Sequence, residues 1–349
     1  MARMTGPLRR GYFAIALIVA LIVALAMVFG DRSAWGLFDY STSKWTMLTL
    51  TAPPLIWFTW MAAVVIKRRS EHPTRAIIRM GWRQRHWLVR GTLLTGAWIP
   101  TAKAVNSLKR SIPDFVPFYA DPALARMDRW LFLGTDPWRL THAIMGPMAT
   151  LIIDRAYILW FLVMLALIAW FNFTRNQRLQ VRGLIAFVMA WFLLGDVAAL
   201  LFSSVGPCFY EIYFHDTHFR PLMDTLREYD AMHSLKAFDA MNWLYVNRDR
   251  SRFGSGISAM PSMHVAMAFL AFLAVRHAVR AKWAKWIAGA FALVCWVGSV
   301  HLGWHYAVDG LFGMIGVSVI WWGAGRFVDW CEQSPQYPVL RGLTPGAAT

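Results

Sequence analysis

The chain has 349 residues, of which 58% are hydrophobic and 15% charged, with 20 Trp and 23 Phe. A soluble domain is nearer half apolar and about a quarter charged, so the composition excludes a water-soluble globular protein and points to a membrane. The formal charge of +16 allows a nucleic-acid partner only if the bases have no better explanation along the chain.

Eight apolar runs, each near the roughly 20 residues that cross a bilayer core, lie at about 12–29, 46–66, 86–105, 154–172, 182–204, 261–278, 284–302 and 306–325. The first follows Arg3, Arg9 and Arg10 and contains Ala24-Leu25-Ala26. It is longer than a signal-peptide core and reads as an uncleaved anchor. The second carries Pro53-Pro54 and the third ends near Pro100, breaks that membrane helices tolerate when neighbours satisfy the freed backbone. Two long loops follow the third and fifth runs, 106–153 and 205–260. Within the first loop, 123–133 and 138–151 have amphipathic or apolar helical patterns suited to the interface. The predicted fold is an all-α polytopic bundle of about eight spans with a six-helix core. Residues 1–85 supply two spans and a basic loop, 86–325 the six-span core with both long loops, and 326–349 a tail whose end, after Arg341, is rich in Gly, Ala, Thr and Pro.

Eight spans put the loops on two sides. The side with both termini holds Arg3, Arg9, Arg10, the basic run from Lys67 to Arg85, Arg175, Arg178, Arg182, Arg276, Arg280, Lys282, Lys285, Arg326 and Arg341. Its acids are Glu71, Asp329 and Glu332, whereas bases and acids nearly balance on the other side. The positive-inside rule therefore predicts cytoplasmic termini and external long loops. For a bacterial chain this means the inner membrane, with the long loops outside. The excess charge is then topological, and no nucleic-acid partner is needed. Cys208, Cys295 and Cys331 are scattered over loop, span and tail and are read as unpaired structural residues.

The chemistry concentrates in Pro261-Ser262-Met263-His264 and in His301 to Asp309, both at ends of apolar runs on the external side. His305 and Asp309 are four apart. On a helix they share a face, so the carboxylate can accept the Nδ1 proton and leave Nε2 free to attack phosphorus. His264 follows Pro261 and Ser262 at a helix start, whose free amides suit phosphate oxygens, and it is placed to protonate a leaving alkoxide. His301, His305 and Asp309 also form a face that can bind a metal, but no further carboxylate or Cys cluster completes a coordination shell. Asp196, inside the fifth run, is costly in lipid and is expected to face the bundle interior, pairing with a base or shaping the site.

These blocks resemble the second and third signature motifs of the type 2 phosphatidic acid phosphatase superfamily, with Gly298 to Asp309 in the place of the third. Lys103-Ala-Val-Asn-Ser-Leu-Lys-Arg110 matches the Lys and Arg of its first motif but has Ser111 where Pro is expected. The third motif's opening Ser-Arg is replaced by Gly298-Ser299, and Met263 stands in place of a Gly. Both departures resemble the inositol phosphorylceramide synthase branch, as do Tyr119 to Gly134 and Gly206-Pro-Cys-Phe-Tyr210. The resemblance, over about 86–325, implies a catalytic set of His305 as nucleophile, Asp309 as its orienting partner and His264 as general acid. It implies phosphate contacts from Lys103, Arg110 and Ser262, and a substitute for the missing arginine among Lys109, Arg220 and Arg252. The expected partners are a phospholipid or lipid phosphate and a lipid alcohol acceptor in the membrane, with no cofactor or metal. Three readings stay open: a lipid phosphotransferase, a lipid phosphatase using water at the same residues, and a non-enzymatic transporter or scaffold.

Overall fold

A computed structural model describes residues 8–31, 40–248 and 254–333. Arg252 and the tail beyond 333 lie outside the described residues. Every regular element among the described residues is helical. Helices α1 (Arg9–Phe29), α2 (Tyr40–Lys67) and α3 (Pro73–Phe115) precede two short ones, α4 (Asp121–Leu131) and α5 (Pro137–Ile144). Then come α6 (Pro147–Ile158) and α7 (Trp160–Phe173), followed by α8 (Gln177–Phe192), which runs through a π-helical turn, Leu193–Ala198, into α9 (Ala199–Leu201). Helices α10 (Pro207–Phe214), α11 (Arg220–His233) and α12 (Lys236–Asn247) lead to α13 (Met263–Ala278), α14 (Lys282–His301) and α15 (Ala307–Gln333).

Among the described residues, five helical segments are long and apolar enough to cross a membrane: Arg9–Phe29, Pro147–Phe173, Gln177–Leu201, Lys282–His301 and Ala307–Gln333. The other three expected runs are also helical, but Pro54–Lys67 and Met263–Ala278 are shorter apolar stretches. Helix α3 carries Arg79, Arg83, Arg85, Arg90 and Lys103, which dilute its hydropathy. Large apolar side chains such as Leu17, Leu21, Leu162, Ile287 and Val319 are exposed. This suits a bundle whose solvent is lipid, because helices satisfy their own backbone there and need no polar coat.

Two expected boundaries move. Helix α3 continues through Pro100 and Pro113 to Phe115, so 106–115 is helix and not loop. The hydroxyls of Thr101 and Ser111 donate to the carbonyls of Ala97 and Ser107 one turn earlier, the local re-satisfaction that lets such a helix run on. The expected element at 138–151 is two helices, divided at Gly146-Pro147. Its second half is the start of the α6–α7 span.

The main core packs α7, α8, α13, α14 and α15 around Phe171, Phe187, Met267, Leu270 and Val317. Helices α13 and α15 approach through a small residue: a β-carbon at Gly313 would come 2.9 Å from the Ser262 carbonyl oxygen. Close approach through glycine is how membrane helices gain packing without hydrophobic drive. Here it sets the start of α15 against the start of α13. A second core, at the same end, joins α4, α6, α10 and α11 to the α14–α15 turn around Tyr157, Tyr210, Phe219, Leu222, Leu302 and Tyr306. The described part of the 205–260 segment is thus largely helical and packs over the turn that carries His305. Asp154 on α6 anchors it, accepting from the backbone N–H groups of Lys236 (3.0 Å) and Ala237 (2.8 Å) at the start of α12. All three cysteines are free thiols.

Candidate active site

His264 and His305 face each other across this end of the bundle, with ring centroids 6.0 Å apart. His264 occupies the first turn of α13, whose N-cap is Ser262: its hydroxyl accepts from the Val265 N–H at 3.4 Å. Ser262 is fully buried and spent on capping. The imidazole of His264 stacks on Tyr157 at 4.6 Å and leans on Trp160 at 4.3 Å. These two aromatics of the α6–α7 span fix its ring plane.

His305 lies in the turn before α15, not on the helix, so the expected shared helical face with Asp309 is corrected. Its Nδ1 donates to the carbonyl of Ala259 at 2.8 Å, while Asp309 Oδ2 stands 3.5 Å away, too far for a good hydrogen bond. A carbonyl can only accept, so Nδ1 carries the proton and the Nε2 lone pair is free. His305 is 7% exposed. Burial pushes its pKa down to about 3, against the Ala259 carbonyl, which favours the cation; the positive charge of Lys109 pushes the same way as burial. The imidazole is therefore neutral at pH 7.

Asp309 has a different first duty. Tyr306 is the residue before α15, and its N–H donates to Asp309 Oδ2 at 3.1 Å, the reach-back half of a capping box. The next two amides, of Ala307 and Val308, donate to Asp128 of α4 at 2.7 and 2.9 Å. A second buried carboxylate, Asp121, accepts from the N–H groups of Val205 and Gly206 and from the Tyr306 hydroxyl at 3.0 Å. Asp121 and Asp128 are seven apart and share one face of α4. They tie that helix to both sides of the His305 turn. Neither was picked out in the sequence, although two acids on one side of an amphipathic helix were its available signal.

Burial pushes Asp128 up to about 7, with help from the charges of Asp309 and Asp136 and against its two backbone donors. An unfolded Asp titrates near 4. Between about 4 and 7 the folded chain thus holds a proton that the unfolded chain lacks, so this group's contribution to stability falls as pH rises through that window. Asp128→Asn is expected to flatten the slope of melting temperature against pH between about 4 and 7. An unchanged slope in a detergent melt would contradict the assignment.

Gly206 marks how tightly the turn is held. It has φ +84°, and a β-carbon there would come within 2.4 Å of the Trp304 carbonyl, next to His305. Gly206→Ala is expected to cost about 1–3 kcal/mol from its glycine-only backbone conformation alone and to displace the His305 turn. It should lower both melting temperature and turnover, which a thermal melt and an activity assay would detect.

The other expected residues fall as follows. Lys109, near the end of α3, is close enough for its charge to act on His305, His264 and Asp196. Its backbone and side chain pack against Gly256 in the loop before α13. Asp196 is 5% exposed in the π-helical turn, and neither of its oxygens takes a hydrogen bond. Pi-helical turns inside α-helices are frequent at functional sites. Arg110 pairs with Asp31 at 2.9 Å, Lys103 is half-buried on the same helix, and Arg220 pairs with Glu211 on the surface. His301 is not brought to His305: its two ring nitrogens meet the hydroxyls of Thr150 (2.8 Å) and Thr141 (3.0 Å), and its ring stacks on His142 at 4.0 Å. The Thr contacts also remove it from the alternative metal face.

A model of the PAP2 superfamily matches residues 122–323, more than half of the chain. The chain belongs to the PAP2 superfamily. No curated protein and no solved structure matches it. The PAP2 match runs from α4 into α15 and includes His264, His305 and Asp309, while α1 to α3, with Lys103 and Arg110, lie before it. Membership gives a lipid phosphatase or phosphotransferase type of function in a membrane setting.

Proposed function

We propose that this protein is a membrane lipid phosphotransferase that passes a phosphoryl head group from one lipid to the hydroxyl of another through a phosphohistidine at His305. The observation that carries the reading is the pair of imidazoles 6.0 Å apart, one of them with Nδ1 bound to a carbonyl and Nε2 free. His305 Nε2 attacks phosphorus, the bond to the donor's alkoxide oxygen breaks, and His264 supplies a proton to that oxygen. In the second half the acceptor hydroxyl gives its proton to His264 as its oxygen attacks phosphorus, and the P–N bond breaks.

The phosphorylated imidazole is cationic, and the buried Asp309 carboxylate 3.5 Å from Nδ1 balances it. Charge developing on the phosphoryl oxygens needs fixed donors. Lys109 takes the place of the missing third-motif arginine, with Lys103 further along α3. Arg110 contributes only by exchanging its Asp31 partner.

Transfer is favoured over hydrolysis by the cover over His305. Helices α10 and α11 pack on its turn, so bulk water is held from a 7%-exposed nucleophile. The departures at Met263 and Gly298-Ser299 support an inositol-phosphate head group and a ceramide-like acceptor, with the site external and both termini cytoplasmic. Incubating purified protein with phosphatidylinositol in EDTA, with and without ceramide or diacylglycerol, tests this. The expected result is a new phospholipid formed only with acceptor. Head group released equally without acceptor would establish a hydrolase, and no product from any donor would overturn the catalytic reading.

A further inference from the structure

The opposite end of the bundle holds a second polar site that the chemistry above does not use. His264 and His277 mark the two ends of α13, about 20 Å apart at 1.5 Å per residue. Near His277 a cleft of about 280 Å³ opens between α8, α13 and α15, lined by Arg178, Arg182, His277, Trp322, Arg326 and Asp329. Arg178 is engaged with Asp329 at 2.6 Å and with Glu332. Arg182 and Arg326 have no carboxylate within ion-pair distance among the described residues.

The cleft is built, not only charged. Arg182 donates from Nε to the Trp321 carbonyl at 3.1 Å and lies over the Trp321 ring at 4.1 Å. Its guanidinium carbon occupies space beside Gly325 that a β-carbon would invade, at 2.8 Å. One planar fork is therefore fixed in the cleft while its terminal nitrogens keep their donors. Fixed guanidinium forks match phosphate oxygens in pairs.

What feeds the cleft is apolar. Ile315, Val319 and Trp322 recur at helical spacing on α15 and are 66%, 61% and 66% exposed. They form a lipid-facing stripe that ends at the cleft, with Trp322 both on the stripe and in the lining. Trp330, also exposed, lies about two turns further along the same face. A soluble anion has no use for such a stripe, whereas an acyl chain does.

We infer that this cleft binds the phosphate head group of an anionic lipid from the leaflet opposite the histidine site, with an acyl chain along the α15 stripe. Basic clefts between membrane helices are suited to such head groups. The site is separate from the catalytic one and stands whether or not His305 is the nucleophile.

The probe is dioleoyl phosphatidylglycerol, titrated into delipidated protein carrying His305→Asn so that no lipid is turned over, with binding read by native mass spectrometry. One molecule is expected to be retained tightly, with affinity lowered tenfold or more in Arg182→Gln/Arg326→Gln and only partly restored in the Lys/Lys counterpart, which keeps the charge but not the fork. Arg326 is exposed, so Arg326→Gln alone is a mild substitution that should still weaken binding if the double variant does not fold. Equal retention by all variants, equal binding of dioleoyl phosphatidylcholine, or displacement by millimolar inorganic phosphate would each overturn the assignment. The last would mark a site for free anions.

Discussion

Replacing His305 with asparagine is expected to lower turnover by about 10⁴-fold or more while leaving the protein folded, because loss of a nucleophile removes the covalent path as a unit. Asparagine is the informative choice. Its amide nitrogen can take the position of Nδ1 and keep the bond to the Ala259 carbonyl, which is 2.8 Å long in the native chain, but it offers nothing at the Nε2 position. The turn would stay tied to the loop before α13, so a loss of rate with an unchanged melting temperature isolates the nucleophile from the scaffold. Residual turnover within tenfold of the native protein would remove His305 from the mechanism.

His264→Gln is expected to cost about 10²–10⁴-fold, the usual contribution of a positioned acid or base. The deficit should depend on the leaving group. A natural lipid alkoxide must be protonated as it departs, whereas p-nitrophenolate leaves without help. Formation of the phosphoenzyme from a p-nitrophenyl phosphodiester should therefore be nearly normal in the variant, and the p-nitrophenol burst in rapid-mixing kinetics would reveal it. The second half-reaction still lacks its base, so the burst should be followed by slow turnover. An equal loss of burst and steady state would mean that His264 acts by shape, through its stacking on Tyr157 and Trp160.

Much of this architecture was legible because membrane segments announce themselves as long apolar runs, and all eight expected runs fall in helices. The histidines were legible as residue types at a spacing. What the spacing did not convey is how they are held. His305 and Asp309 look like a helical i, i+4 pair, yet the helix begins only at Ala307, and the partner of Nδ1 is a backbone carbonyl 46 residues earlier. A carbonyl has no sequence signature. The same is true of remote capping: Asp128 serves amides some 180 residues away, a contact created only when α4 packs on the α14–α15 turn. Proline misled in the other direction. The third run was expected to end near Pro100, but hydroxyl back-bonding and packing against α1 and α2 carry α3 through it and on through Pro113. Lys109 was one candidate among three. Only the fold, by running α3 on to Phe115, brings its charge to bear on both histidines.

The most direct test of the central claim is to trap the intermediate. His264→Gln protein, quenched in alkali after brief exposure to a ³²P-labelled p-nitrophenyl phosphodiester donor, should carry label that survives base and is lost in acid, as a phosphoramidate does. Peptide sequencing should place it on His305. Label on another residue, or none while the lipid product still forms, would contradict a phosphohistidine at this position.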